Sequence, residues 1–324
     1  MCTAAKYISG DFYFGRTLDN DCGYGEEVVI TPRRRRLDFT TGETLSAHYA
    51  FLGIATVADN FPLYYDAFNE KGLAIAGLNF VGNAVYHEAC PDKINVAQYE
   101  FVPWLLAKFA SVAEVRRALK KVNITPVPFS DVFPCAELHW MIADKSDCIV
   151  VESTASGLNV YDNPVGVLTN NPPFPEQLFA LNNYMALSPR PPKNNFCDKL
   201  KLNTYSRGMG AMGLPGDLSS QSRFVRAAFT CLNSPACGDC NASLSQFFHI
   251  LGSVEQTLGS CLMDNGHYET TIYTSCCNVD KGVFYYTSYD NRRISAVDMN
   301  KVNLEGTSLF RYPIVHGEQV LWQN

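Results

Sequence analysis

The residue around which chemistry can be built is the cysteine at position 2, directly after the initiator methionine. Its side chain is small, so removal of Met1 is chemically feasible and leaves Cys2 as the first residue of the mature chain. A terminal cysteine carries its own base. An α-amino group has a reference pKa of about 8, so part of it is neutral near neutral pH. A thiol beside an amine and a cation is an activated nucleophile. The cation and its counter-charge follow soon after, in Phe14-Gly15-Arg16-Thr17-Leu18-Asp19. Asp11 to Arg16 reads as a strand, which lets Cys2 and Arg16 lie on adjacent strands. Asp19 can then pair with Arg16 or hold the Cys2 amino group.

Three further polar residues need a reading. Asn79 ends Ala76-Gly77-Leu78-Asn79, and Asn170 ends Gly166-Val167-Leu168-Thr169-Asn170. Amides at strand ends make good donors to an oxyanion, because the sheet fixes their aim. As plain structure they would cap a strand or open a turn. Arg223 lies near the start of a helix, the wrong end of the dipole for a cation. A buried carboxylate or polar network would justify it there; otherwise it is a surface arginine.

Other motifs carry less. Gly208-Met209-Gly210-Ala211-Met212-Gly213 matches G-x-G-x-x-G but runs into Leu214-Pro215-Gly216 instead of a helix, so no dinucleotide site is expected. Cys237-Gly238-Asp239-Cys240 has no second pair for a metal. No metal and no cofactor is expected.

The elements that must position these residues follow from length and periodicity. The 324 residues suffice for one large domain, and no linker or repeat divides them, so residues 1–324 read as one domain. Hydrophobic residues are 47% and charged ones 18%, an ordinary globular balance. A net charge of −6 argues against nucleic acid as a partner. The one basic run, Arg33 to Arg36, reads as a solvated hairpin tip. No apolar run reaches eighteen residues, so no membrane span is expected. The N-terminus has no signal-peptide pattern, which points to the cytoplasm and to reduced thiols for most of the twelve cysteines.

Strands are predicted at 50–57, 62–67, 73–80, 138–143, 148–152, 158–161, 165–169, 268–275 and 283–289. Helices are predicted at 98–110, from the capping box Ser111-Val112-Ala113-Glu114 onward with Val112, Val115, Leu119 and Val122 on one face, and at 175–187, 220–232 and 244–258. Residues 188–216, rich in Pro, Asn and Gly, form a long excursion. Paired strands with paired helices between them suit antiparallel sheets covered by helices, an α+β class, and not a doubly wound parallel sheet.

Taken together, Met-Cys-Thr at the start, Phe14 to Asp19, Ala74-Ile75-Ala76-Gly77-Leu78-Asn79-Phe80, Leu168-Thr169-Asn170-Asn171-Pro172, Gly213 to Ser220 with Ser222-Arg223-Phe224, and Asn265 to Thr271 resemble the choloylglycine hydrolase family of bile salt hydrolases and penicillin V acylases. The resemblance runs from Cys2 to about residue 290. It implies an N-terminal-nucleophile fold, an αββα four-layer sandwich with two stacked antiparallel sheets between helix layers. It also implies a homotetramer, with 188–216 as an assembly loop, and conjugated bile acids as substrates. Cys2 becomes the nucleophile and its amino group the base. Arg16 and Asp19 position and tune it, Asn79 and Asn170 stabilise the oxyanion, and Arg223 completes the network. Penicillin V acylases typically carry tyrosine in place of Asn79, so asparagine favours the bile salt branch.

A sterol body needs an apolar cleft, for which Tyr24, Phe61, Leu63, Phe129, Val132, Phe133 and Leu138 are the candidates. Within bile salt hydrolases a Ser-Arg-x triplet in the long loop goes with taurine conjugates. Ser206-Arg207-Gly208 fits it and nominates Arg207 for the sulfonate. Alternative readings are a penicillin V acylase-type amide hydrolase, a bile acid–amine acyltransferase sharing the thioester, and a non-catalytic sterol-binding protein. The last predicts loss of at least one of the six polar positions, and none is lost.

Overall fold

The computed structural model describes residues 1–324. Its centre is a strand pair, β1 (Cys2–Ser9) and β2 (Asp11–Asn20), joined by a tight turn at Gly10 with φ +71°. All eight inner residues of β2 are buried, as befits a strand covered on both faces. The chain continues through β3 (Glu26–Thr31), β4 (Leu37–Asp38), β5 (Thr44–Leu45), β6 (Phe51–Ala58), β7 (Phe61–Asn69) and β8 (Ala74–Asn79). Next come β9 (Ile94–Ala97), helices α1 (Phe101–Lys108) and α2 (Val112–Leu119), and β10 (Val122–Thr125). Then follow β11 (Leu138–Ala143), β12 (Cys148–Thr154), β13 (Gly157–Asp162), β14 (Val167–Leu168) and α3 (Phe174–Ala180). The last part holds α4 (Ser220–Asn233), α5 (Cys240–Gly252), β15 (Thr270–Asn278), β16 (Val283–Ser288), β17 (Asn291–Asp298) and β18 (Phe310–Pro313).

Six strands form one antiparallel sheet in the order β14-β1-β2-β15-β16-β17, and eight form a second, β13-β12-β11-β8-β7-β6-β3-β18. Two cores hold the layers together. One lies between α1–α2 and the outer face of the eight-stranded sheet, around Trp104, Trp140, Phe51 and Ile75. The other runs between the sheets and on to α4 and α5, around Phe12, Phe14, Phe68, Leu78, Phe224 and Phe247. Each such side chain, fully buried, contributes about 1.5–3 kcal/mol. The result is the α+β arrangement of antiparallel sheets covered by helices that the element order implied, in the four layers that the resemblance implied.

Several boundaries differ from the sequence reading. The helix expected at 98–110 opens as a 3-10 turn, Gln98–Glu100, before α1. The one expected at 175–187 stops at Ala180 and tightens into a 3-10 turn. Val122 belongs to β10 and not to the face of α2, because the chain leaves the helix at Lys120 to pair with β9. Helix α5 begins earlier than expected, because the Asp239 side chain caps it by accepting from Asn241 N and Ala242 N. Strands β17 and β18 were not anticipated; β17 carries charge on its exposed edge and hides the alternation. The basic run is not freely solvated: Arg33 pairs with Glu70 and Glu305, Arg34 with Glu305, and Arg36 with Asp38. No helix is long and apolar enough to cross a membrane.

Candidate active site

The antiparallel register of β1 and β2 sets Cys2 opposite Leu18 and Ala4 opposite Arg16. Cys2 is 1% exposed with Met1 in place. The Arg16 guanidinium reaches it: Nη2 donates to Cys2 Sγ, Nη1 to Gly77 O, and Nε to Thr17 O at 3.1 Å. Gly15 makes this possible. A Cβ there would sit 2.1 Å from Ser275 O, so only glycine lets β2 and β15 close up beside Arg16. Burial works against the Arg16 charge, but Cys2, Tyr273, Asp66 and Asp19 around it hold its pKa above the ordinary value.

Asp19 neither pairs directly with Arg16 nor holds the Cys2 amino nitrogen by its side chain. Its carboxylate is fully buried, accepting from Thr271 Oγ1 at 2.6 Å and Thr17 Oγ1 at 3.0 Å, with Arg223 Nη1 at 4.0 Å. Burial pushes its pKa up, against the pull of Arg223. The backbone of Asp19 grips the first residue instead: its N–H donates to Met1 O at 2.9 Å and its carbonyl accepts from the Met1 ammonium at 2.6 Å. That ammonium also pairs with the buried Glu269.

Arg223, on the first turn of α4, is fully buried. It donates to Cys2 O at 2.5 Å, Thr3 Oγ1 at 2.7 Å, Asn170 Oδ1 at 2.7 Å and Leu218 O at 2.9 Å. The unfavourable end of the dipole is thus outweighed by four acceptors and the nearby Asp19. Burial still draws its pKa down.

Asn170 follows β14 and is held from all sides. Its Oδ1 accepts from Cys2 N at 2.9 Å and from Arg223, which fixes the amide orientation. Its Nδ2 donates to Asn79 O at 2.8 Å, and its N–H donates to Ser220 Oγ at 2.8 Å. The Asn170 side chain therefore addresses the Cys2 nitrogen with its oxygen. The Asn79 side chain is exposed at the end of β8, paired through its backbone with Leu138.

Sequence reasoning missed the supports. His139 bonds Thr169 O at 2.9 Å and Glu152 Oε1 at 3.1 Å, and Glu152 also takes Phe174 N–H at 2.9 Å. This fully buried set fixes the backbone beside Asn170. Behind Arg16, Asp66 accepts from Tyr273 OH and Ser275 Oγ, each at 2.7 Å. The available signal was a lone charged residue inside an otherwise apolar strand, as in Tyr64-Tyr65-Asp66-Ala67 and Leu138-His139-Trp140.

The apolar candidates divide. Phe61, Phe129 and Phe133 gather with Tyr99, which sequence reasoning did not name; ring centroids lie 5.3–6.2 Å apart. Tyr24 is exposed and its hydroxyl accepts from Asn20 Nδ2 at 2.9 Å. Leu63 is half-buried on β7, and Leu138 packs toward the α1–α2 core. Val132 is 80% exposed and outside the aromatic group. Arg207 is exposed in the excursion, without a side-chain hydrogen bond or ion pair, and no contact joins it to Cys2.

The same architecture occurs in a penicillin V acylase from Agrobacterium tumefaciens, with TM-score 0.75 and 21% identity over 96% of this chain and 90% of that one. That likeness shows the fold alone. Structures of conjugated bile acid hydrolase variants from Clostridium perfringens agree far more closely, with TM-score 0.92 and 37% identity over 100% of both chains. Residues 2–312 match the linear amide C-N hydrolases, choloylglycine hydrolase family, and the chain belongs to that family. It is also 55% identical over 314 residues, 97% of each chain, to the bile salt hydrolase/transferase of Lactiplantibacillus plantarum.

Proposed function

We propose that the protein hydrolyses the amide bond of glycine- and taurine-conjugated bile acids through a thioester on Cys2. The observation that carries this reading is the enclosure of Cys2, with its thiol on Arg16, its carbonyl on Arg223 and its nitrogen on Asn170. Once Met1 is removed, that nitrogen is the free base. It takes the thiol proton as sulfur attacks the amide carbon, while Asn170 Oδ1 aims its lone pair. The Asn79 amide, exposed at the end of β8, is our candidate donor to the oxyanion. The amine leaves with the proton from the α-amino group, and water then cleaves the thioester. Arg16 stabilises the thiolate, and Asp19 anchors the strand end through Thr17 and Thr271 and balances Arg223.

Asparagine at position 79 supports bile salts over penicillin V. The aromatic group of Phe61, Tyr99, Phe129 and Phe133 offers a rigid apolar wall for a sterol. Incubation with glycocholate, taurocholate and penicillin V, with products read by mass spectrometry, tests the reading. Release of cholate with no penicillin V turnover supports it; the reverse pattern overturns it. Adding a free amine to the same reaction measures transfer from the shared thioester.

We further infer a homotetramer assembled through the excursion. Phe196, Leu200, Leu202 and Tyr205 there are exposed, with 49–82% of their surface open. Contiguous exposed apolar residues of this kind suit an interface. Light scattering on the purified protein distinguishes a tetramer from a monomer.

A further inference from the structure

The buried centre contains a charged group that the proposed reaction does not use. Asp66 lies on β7 in the eight-stranded sheet and is 0% exposed. Regular alternation brings it there: Asp66 pairs with Ile54 and Ala76 and shares the inner face with Phe68. The β6–β7 register shifts just before it, between Ile54 and Ala55, and this bulge adds Tyr65 to the same face. The carboxylate crosses to the six-stranded sheet and accepts from Tyr273 and Ser275 of β15.

Those two donors are neutral, and a buried carboxylate needs a cation as well. The cation facing it is Arg16. The link is indirect: Arg16 N–H donates to Ser275 Oγ at 3.0 Å, and Ser275 Oγ–H donates to Asp66 Oδ2. The guanidinium itself is committed to Gly77 O, Thr17 O and Cys2 Sγ. Asp66 therefore does not hold Arg16 in place; two backbone carbonyls do. What Asp66 supplies is charge. Asp19, Asp66 and the buried Glu269 face Arg16, Arg223 and the chain's ammonium, three carboxylates against three cations, balanced before any thiolate exists.

The geometry points to Asp66 as a positioning residue for the reaction, the fixed counter-charge of Arg16 that limits how far Arg16 stabilises the Cys2 thiolate. This rests on the reading of Cys2 as nucleophile. Thiolate nucleophilicity falls as the thiolate is made more stable. An uncompensated buried Arg16 would give a thiolate that forms readily and attacks poorly. Facing Asp66 are Arg16 from β2 and Tyr273 and Cys277 from β15. Facing Cys2 are Arg16 and Arg223, with Asp19 and Glu269 acting on Arg223 behind it. Burial pushes the Asp66 pKa up against the pull of Arg16, so the carboxylate depends on that cation to stay ionised.

The test is the pH dependence of Cys2 alkylation by iodoacetamide in Asp66→Asn, read by peptide mass spectrometry, together with kcat and KM on taurocholate. Asp66→Asn removes the charge and keeps the size. The alkylation midpoint should move to lower pH by about one unit, the scale of one nearby charge. Where the thiol is ionised in both proteins, kcat should fall by about threefold, the Brønsted response to one unit, while KM stays within about twofold, since Asp66 does not reach the surface. Tyr273→Phe takes one donor from the carboxylate and should move the midpoint the same way by less, which keeps the test open if Asp66→Asn does not fold. A midpoint unchanged in both variants, or moved to higher pH, overturns the assignment and leaves Asp66 a packing residue. Failure of the wild type to hydrolyse any bile salt would instead count against the proposed function, and the alkylation profile would still report on Asp66.

Discussion

The polar centre between the sheets and the aromatic group beside β7 are built by opposite rules. Cys2, Arg16, Asp19, Asn170 and Arg223 sit on strands or next to their ends, or on a helix packed against them, and each is at least nine-tenths buried. Each is held by hydrogen bonds from several elements at once. Phe61, Phe129 and Phe133 pair ring to ring with one another and Tyr99, and Arg207 is exposed without a side-chain hydrogen bond or ion pair. Chemistry on a bond requires atoms placed within tenths of an ångström, which only a rigid, fully satisfied frame supplies. Recognition of a sterol or a terminal anion requires area and charge at the right depth, and loops supply these while remaining free to vary.

Perturbing the two regions should separate along that line. Cys2→Ala should reduce turnover by about 10⁴-fold or more while the protein remains folded, since the site loses its nucleophile and the core loses one small atom. Circular dichroism and steady-state rates check both halves, and activity within tenfold of wild type would break the comparison. Asn170→Ala should come next. It leaves Cys2 N and Arg223 Nη2 without their acceptor, at about 1–3 kcal/mol for each buried donor, so thermal stability should fall together with kcat. An unchanged melting temperature would show that the network is not rigid.

Phe129→Ala should act on the other region, raising KM for bile salts by about tenfold, about 1.4 kcal/mol, with kcat nearly constant. Equal loss in kcat would place Phe129 with the chemistry. The smallest effect is expected at Arg207→Ala, which should weaken taurine conjugates more than glycine conjugates by about 1–2 kcal/mol, one charged hydrogen bond. Because Arg207 is exposed, salt should narrow the difference. Equal change on taurocholate and glycocholate removes it from substrate selection.

Thiol labelling separates the regions independently. Burial pushes the Cys148 thiol up to about 12 and the Cys231 thiol up to about 11, and raises Cys276 and Cys277 well above the ordinary range. These four should resist alkylation near neutral pH until the protein unfolds, while the exposed Cys22, Cys197 and Cys240 react.

The sequence made the candidate site residues legible and left their supports unassigned, for a physical reason. Cys2, Arg16 and Asp19 lie close in the chain, and strand pairing between neighbours needs no long-range knowledge. Asn170 and Arg223 stood out because each conflicts with its local setting, an amide ending an apolar strand and a cation at a helix start. Asp66, His139 and Glu152 also conflict with theirs, but their partners are far away: Tyr273 is 207 positions from Asp66, and Thr169 is 30 from His139. A charge in an apolar strand says that something must compensate it and does not say what. The β6–β7 bulge that adds Tyr65 to the inner face beside Asp66 is likewise a property of the pairing. The precise orientation of Asn170, oxygen toward Cys2, follows from two donors contributed by residues 2 and 223.

The central claim is that Cys2, freed of Met1, carries the acyl group. Rapid quenching of the wild-type protein with taurocholate, followed by intact and peptide mass spectrometry, tests it directly. The account predicts a protein one methionine short, with a cholyl group bound as a thioester to the N-terminal Cys2 peptide. A fully active protein that retains Met1, or a cholyl adduct on any other residue, would contradict it.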